Sequence, residues 1–152
     1  FYFQYKGFDL TMFWQGIQGR DIISDLKKET DLWSGLNIGF LNKGRRVLDA
    51  WTPNNPDSDI PALTRSDLNN EKRVSSYYVE DGSFLKLRNI QIGYNVPEAA
   101  LQKVKMRKLR VYVSAQNLLT IKSRTFTGVD PENPNYGYPI PMNLTFGVNI
   151  GF

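Results

Sequence analysis

The side chains that could do chemistry in this chain are few, and its carboxylates are the first to consider. Nothing in the sequence pairs Glu80, Asp81 or Asp130 with one another or equips them for general acid–base work. The 152 residues include no histidine and no cysteine, which excludes disulfides, thiol and Ser–His nucleophiles and most zinc sites. The sequence therefore predicts a protein that is not an enzyme and needs no cofactor.

The segments "DSD" (57–59) and "DPEN" (130–133) suggest a second kind of chemistry, because calcium takes oxygen ligands. Their spacing matches no calcium-binding loop. An aspartate followed by serine or proline more often begins a turn, in which its carboxylate accepts a hydrogen bond from the backbone. We therefore predict turns at Asp57 and Asp130 and no metal site.

The net charge of +4 comes from 19 basic and 15 acidic residues, and the basic residues concentrate in "KVKMRKLR", 103–110. This cluster would suit a nucleic-acid patch or a solvated turn, and so mild a charge favours the solvated turn with no nucleic acid bound. Apolar runs never exceed three residues, whereas a membrane helix needs about 20.

The elements that position these side chains are β-strands. Apolar residues occupy every second position at the end of the chain, where Leu144, Phe146, Val148 and Ile150 alternate with small and polar residues. Similar alternation predicts about five strands, at residues 1–5, 8–15, 83–97, 108–120 and 144–152. "KG" at 6–7 predicts a tight hairpin, and a change of parity near Arg88–Asn89 predicts a β-bulge.

Two architectures would cover the apolar face of such strands in different ways. A soluble sandwich would cover the apolar face with a second sheet, but five strands with one connection of about 60 residues suit it poorly. In a membrane barrel the apolar face meets lipid, and short and long connections alternate between the two ends of the strands. On that arrangement Phe8, Tyr94 and Phe152 lie at one edge and Trp14 and Phe84 at the other, as two aromatic girdles would. Short helices are predicted in "RDIISDLKKET" and "PEAALQKVK".

Several motifs occur in an order that resembles a known family, and together they cover nearly the whole chain. They are "WTPNNPDSDIPAL", "YYVEDGSFLKLRNIQIGYNVP", "RVYVSAQNLLTI", "TGVDPENPNYG", "YPIP" and "FGVNIGF". They resemble the C-terminal portion of SusC/RagA-type TonB-linked outer-membrane proteins. Two departures from the family are Leu119, where the family often has Phe, and the segment around Phe126, near which the family commonly has Tyr. The last strand also resembles the signal that the barrel-assembly machinery recognises, through Thr145, Gly147, Ile150 and Phe152.

The resemblance implies an all-β fold: the C-terminal antiparallel strands of a large transmembrane β-barrel, incomplete as given, within the outer membrane. Such transporters are driven by the TonB complex through N-terminal parts, and they import oligosaccharides or peptides together with a SusD-like surface lipoprotein. Residues 1–152 would be barrel, with extracellular loops at 17–79 and 121–141. The aromatic candidates for contact with substrate or lipoprotein, unless they only pack the loops, are Trp51, Tyr77, Tyr78, Tyr136 and Tyr138.

The alternative is a soluble β-rich glycan-binding module that uses the same aromatic residues. It would bury the apolar face, whereas the barrel leaves that face to the lipid bilayer. The first residue is not Met and no signal peptide follows it, so we also expect the chain to be a fragment.

Overall fold

A computed structural model describes residues 1–32, 42–64, 70, 73–102, 105–134 and 137–152. The chain divides into two units. The sheet unit comprises residues 1–18, 83–122 and 140–152, and the loop unit comprises residues 19–82 and 123–139. Tyr136 lies outside the described residues.

The sheet unit is built from the five strands that the alternation predicts. In chain order these are β1 (Tyr2–Tyr5), β2 (Phe8–Ile17), β5 (Phe84–Asn95), β6 (Lys108–Lys122) and β7 (Asn143–Gly151). They form one sheet in the order β1-β2-β5-β6-β7, and every neighbouring pair is antiparallel. The sheet is open, with β1 at one edge and β7 at the other.

The predicted hairpin joins β1 to β2. Lys6 and Gly7 both have positive φ, at 45° and 89°, which is the two-residue turn whose twist matches that of the strands. A side chain at position 7 would place its Cβ 2.9 Å from the Asn95 carbonyl oxygen. Glycine therefore suits this turn both because of its positive φ and because the site has no room for a Cβ.

The predicted bulge lies at Arg88. Leu87 and Asn89 pair with consecutive residues of β2, so Arg88 is the extra residue of β5. On the other side of β5, β6 has two residues at this level where β5 has one, and the first of them, Asn117, has a φ of 54°. Arg88 donates hydrogen bonds to the side-chain oxygens of Gln15 (2.9 Å) and Asn117 (3.3 Å). The bulge thus keeps the apolar residues of β5 on one face, as expected.

Several residues of the two faces have the reverse of the exposure expected in a soluble sheet. Asp9 and Lys86 on the polar face are buried, whereas Phe146 on the apolar face is 75% exposed. No part of the described chain covers the predicted apolar ladder of β7, and its members are all exposed: Leu144, Phe146, Val148 and Ile150.

One girdle position was predicted wrongly. Phe84 is buried, and it shares the polar face with Lys86, whose Nζ lies 5.5 Å from its ring centroid. Phe8 and Tyr94 do lie side by side on the apolar face, with ring centroids 4.6 Å apart.

The loop unit contains short elements. They are β3 (Asp21–Ile23), α1 (Asp25–Asp31), the 3-10 helices Arg45–Asp49 and Ser76–Tyr78, and β4 (Val79–Asp81), which pairs with β3. Ser24 caps α1 by accepting a hydrogen bond from the Lys27 backbone N–H at 3.2 Å. α1 confirms one predicted helix, and α2 (Glu98–Leu101), which follows Pro97 in the sheet unit, confirms the other.

Among the described residues, no helix has the length and hydrophobicity that crossing a membrane requires.

Candidate functional site

A charged cluster crosses three strands on the polar face of the sheet. Arg110 of β6 donates to both carboxylate oxygens of Asp9 of β2, from Nε at 3.1 Å and from a terminal nitrogen at 2.5 Å. The Asn95 amide of β5 donates to the same carboxylate at 3.2 Å. Asp9 is 5% exposed. Because a bidentate guanidinium–carboxylate pair is geometrically specific, the cluster joins β2 to β6 directly across β5.

Gly93 is the reason that this pair can form. The register places Gly93 of β5 directly between Asp9 and Tyr112. A Cβ at position 93 would lie 2.6 Å from an Asp9 carboxylate oxygen and 2.6 Å from an Arg110 nitrogen. The missing side chain therefore leaves the notch through which Arg110 reaches Asp9, and glycine inside a strand commonly marks such a close approach.

Gly147 makes a second notch on the same face. It pairs with Tyr112, and a Cβ there would lie 2.2 Å from the Tyr112 ring. The Arg110 guanidinium carbon lies 5.2 Å from the centroid of that ring. The ring therefore lies against the backbone of β7 with a cation beside it, and the polar face at this level is packed rather than open.

We expect Gly93→Ala to lower the free energy of unfolding by about 3 kcal/mol, because it overpacks the notch and weakens hydrogen bonds between charged groups. Gly151→Ala is the matched control, since its Cβ would meet only Lys108, with the Cβ atoms 3.3 Å apart. Urea unfolding of the full-length protein in detergent measures both. Equal effects of the two variants would show that the notch does not hold the sheet.

A second cluster lies in the loop unit around Asp31, the last residue of α1. Asp31 is 0% exposed. It accepts hydrogen bonds from the Arg46 guanidinium, with Nε at 2.7 Å, and from the Tyr77 hydroxyl at 2.6 Å. Burial, and then the hydrogen bond and negative charge of Asp31, raise the pKa of Tyr77 above its ordinary value of 10.0. The hydroxyl therefore remains a donor at neutral pH.

Two lysines stabilise α1, one through this cluster and one at the end of the helix. Lys27 donates to the Tyr77 carbonyl oxygen at 2.6 Å, and its Nζ lies 4.3 Å from the Tyr77 ring centroid. Burial, followed by repulsion from Arg46, lowers the pKa of Lys27. Lys43 donates to the carbonyl oxygens of Glu29 (3.0 Å) and Leu32 (2.7 Å), which satisfies groups that the end of a helix leaves unpaired.

Two of the carboxylates considered for catalysis or calcium, Glu80 and Asp130, have structural partners. Glu80 accepts hydrogen bonds from the backbone N–H (3.0 Å) and the hydroxyl (2.7 Å) of Thr127, which joins β4 to the segment 123–139. Asp130 accepts a hydrogen bond from the Glu132 backbone N–H at 2.9 Å, so the predicted aspartate turn is confirmed there. Within the described ranges, no three acidic side chains are arranged to hold a metal ion.

The aromatic candidates are placed differently from one another. Tyr77 belongs to the Asp31 cluster, and Tyr78 is 2% exposed with its ring in edge contact with that of Tyr77. Trp51 is exposed, and its backbone N–H donates to the Ile60 carbonyl oxygen at 2.8 Å. Tyr138 is 97% exposed. Their contact with a substrate or partner remains a prediction.

The residues of the terminal signal lie along β7. Thr145 pairs with Ser114, Gly147 lies against Tyr112, Ile150 is exposed on the apolar face, and Phe152 follows the strand with its ring exposed. Sequence reasoning missed the Asp9–Arg110 and Asp31 clusters. The available signal for the first was a glycine within β5, flanked by strands that carry opposite charges on one face.

An open antiparallel sheet with buried charged residues such as Asp9 and Lys86 on one face and the exposed apolar ladder of β7 on the other has the architecture of strands from an outer-membrane β-barrel. The proteins to which this chain is similar support that assignment. TonB-dependent receptor P3 of Formosa agariphila is 35% identical over 165 residues, which covers 98% of this chain and 15% of that protein. A second TonB-dependent receptor of the same organism is 31% identical over 163 residues, covering 97% of this chain and 16% of the relative.

A solved structure shows the same fold. The RagAB peptide importer in its "closed-closed" state superposes with a TM-score of 0.78 at 28% identity, over 97% of this chain and 16% of that one. No protein-family model matches. The resemblance to SusC/RagA-type TonB-linked outer-membrane proteins that the motifs indicate is confirmed, and the chain spans about 15% of the length of the relatives it matches.

Proposed function

We propose that this chain supplies five strands to the barrel of an outer-membrane TonB-dependent transporter, which imports oligosaccharides or peptides with a SusD-like lipoprotein at its surface. The exposed apolar face carries the proposal, because contiguous apolar surface of this extent is rare on a soluble monomer and suits contact with lipid. That observation counts against the soluble glycan-binding alternative. The similarity to RagAB, a peptide importer, supports peptides as the substrate class.

The two long connections, 17–79 and 121–141, leave the same end of the sheet, and we propose that this end faces outside the cell. Of the aromatic candidates described, Trp51 and Tyr138 have the exposed rings that stacking on a sugar or packing against the lipoprotein requires. Tyr77 and Tyr78 instead support the loops from within.

We further propose that β7 is the strand that the barrel-assembly machinery captures. It lies at an edge of the sheet, so its outer hydrogen-bonding groups are available for pairing with another strand. The exposed rings of Phe146 and Phe152 would then meet lipid as the barrel closes.

Adjacent residues of β7 provide a direct test of the membrane arrangement. Val148→Cys and Asn149→Cys, each in a cysteine-free background of the full-length protein, place a spin label on opposite faces of one strand. In lipid vesicles, the label at 148 should collide readily with oxygen and poorly with a water-soluble nickel complex. The label at 149 should show a lower ratio of oxygen to nickel collisions.

The two labels are matched controls for each other, because they share strand, depth and chemistry. Similar accessibility of both labels to nickel would contradict the barrel and favour a sheet surrounded by water. Low accessibility of position 148 to both reagents would indicate a second protein layer over the apolar face.

A further inference from the structure

The end of the sheet formed by the short connections has an excess of positive charge. Lys6 lies in the β1–β2 turn, and Lys105, Arg107 and Lys108 precede or begin β6. All four are exposed. Among the described residues of these two connections, the acidic side chain is Glu98, so four cations face one carboxylate.

Two of the cations lie beside the apolar face. The Lys6 ammonium lies 5.3 Å from the ring centroid of Tyr5, which pairs with Phe8 on that face. Arg107 precedes Leu109 by two residues, and its backbone N–H extends the pairing with β7 by donating to the Gly151 carbonyl oxygen at 2.9 Å. Arg107 and Leu109 line a common hollow with Lys6 and Glu98.

An apolar groove of about 360 Å³ lies on the same sheet, and its lining includes Phe8, two residues after Lys6 along the chain. The rings of Phe8 and Tyr94 form one wall and Phe146 forms the other, while the floor consists of the shorter side chains of Ile92, Val111 and Val113. The groove exists because the valines of β6 lie between two bulkier rings, Tyr94 of β5, which pairs with Val111, and Phe146 of β7, which pairs with Val113.

We propose that this surface holds one anionic phospholipid, with its phosphate at Lys6 and Arg107 and an acyl chain in the groove. The inference rests on the proposed function, since it requires the apolar face to meet lipid. Arg107 and Val113 are six residues apart, or about 20 Å along the strand, and one leaflet of hydrocarbon is about 15 Å thick. A single lipid therefore spans both features, which a free phosphate ion does not.

The charge and the shape select the ligand together. A lysine or arginine near an anionic membrane surface contributes about a fivefold gain in affinity, so two such side chains contribute up to about 30-fold. A zwitterionic lipid would fill the groove equally well but would gain little from the cations. The site should therefore distinguish phosphatidylglycerol from phosphatidylethanolamine.

Native mass spectrometry of the full-length protein, equilibrated with equal amounts of these two lipids in detergent, tests this directly. The wild type should retain phosphatidylglycerol several-fold more than phosphatidylethanolamine. Lys6→Gln/Arg107→Gln should abolish the preference. Lys122→Gln/Arg124→Gln removes the same charge at and just beyond the opposite end of β6 and should preserve the preference.

Val111→Trp tests the groove separately, because it fills the floor and leaves both cations in place. It should reduce retention of phosphatidylglycerol toward that of the double variant. Excess inorganic phosphate should not displace the lipid from the wild type, and displacement by phosphate would show a simple anion site.

Equal retention of the two lipids by the wild type, or a preference that survives Lys6→Gln/Arg107→Gln, would overturn the inference. Heat-modifiable migration of each variant reports whether the barrel has formed. A wild type that forms a barrel without lipid preference contradicts this inference alone. A wild type that never inserts into membranes contradicts the proposed function.

Discussion

Replacing Phe146 by arginine should lower the free energy of unfolding of the full-length protein by about 2–4 kcal/mol, the cost of a cationic side chain facing lipid near the bilayer midplane. Phe146 lies near the middle of β7, and its ring is exposed on the apolar face opposite Val113. In water the same substitution on an exposed side chain would cost little, so the effect measures lipid contact.

Thr145→Arg is the matched control, because it introduces the same side chain one residue away on the polar face, where Thr145 pairs with Ser114. Its effect should stay within about 1 kcal/mol. Equilibrium unfolding by guanidinium in lipid vesicles measures both variants. If Thr145→Arg were as costly as Phe146→Arg, the apolar face would not be the face that meets lipid.

Replacing Asp31 by alanine should unfold much of the loop unit while the sheet unit keeps its structure. Asp31 accepts hydrogen bonds from Arg46, Tyr77 and Thr30, so its loss leaves a guanidinium and a hydroxyl without their acceptor. Breaking a buried charge pair costs about 3–5 kcal/mol, and the lower figure applies because the Arg46 side chain is 31% exposed and regains some hydration.

Hydrogen exchange of the full-length protein provides the measurement. Amides of α1 and of the residues around Tyr77 should lose protection in Asp31→Ala, whereas those of β5 and β6 should keep theirs. Asp25→Ala is the control on the same helix, because the Asp25 side chain is 43% exposed and its pair with Lys28 contributes at most about 1 kcal/mol. Equal protection of α1 in the two variants would mean that Asp31 does not organise the unit.

Strands with regular alternation were predictable to within a few residues. β7 was predicted at 144–152 and is found at Asn143–Gly151. The bulge at Arg88 was also predictable, because a change of parity within one strand has few other physical solutions. β3 and β4 were missed because three residues are too few to show a period of two. Phe84 is a different case, because alternation with Leu85 and Leu87 places it on the polar face, and only its position at the end of the strand suggested a girdle.

The clusters could not be derived from local patterns. Asp9 and Arg110 are 101 residues apart, and Asp31 and Tyr77 are 46 apart. The first pair depends on the register of three strands and on Gly93 lying between the two charges. Local propensities carry no information on such coincidences, because strand register depends on contacts between segments that are distant along the chain.

The sequence by itself determined which faces of the strands are apolar, where the tight turn and the bulge lie, and which family the motifs resemble, because each follows from neighbouring residues. Only the tertiary structure decided that Lys86 of the polar face is buried while the apolar ladder of β7 is exposed, that Asp9 and Asp31 are the centres of buried clusters, and that Tyr77 and Tyr78 pack inside the loop unit. Burial is a property of what surrounds a side chain, and the fold brings those surroundings together from the whole chain.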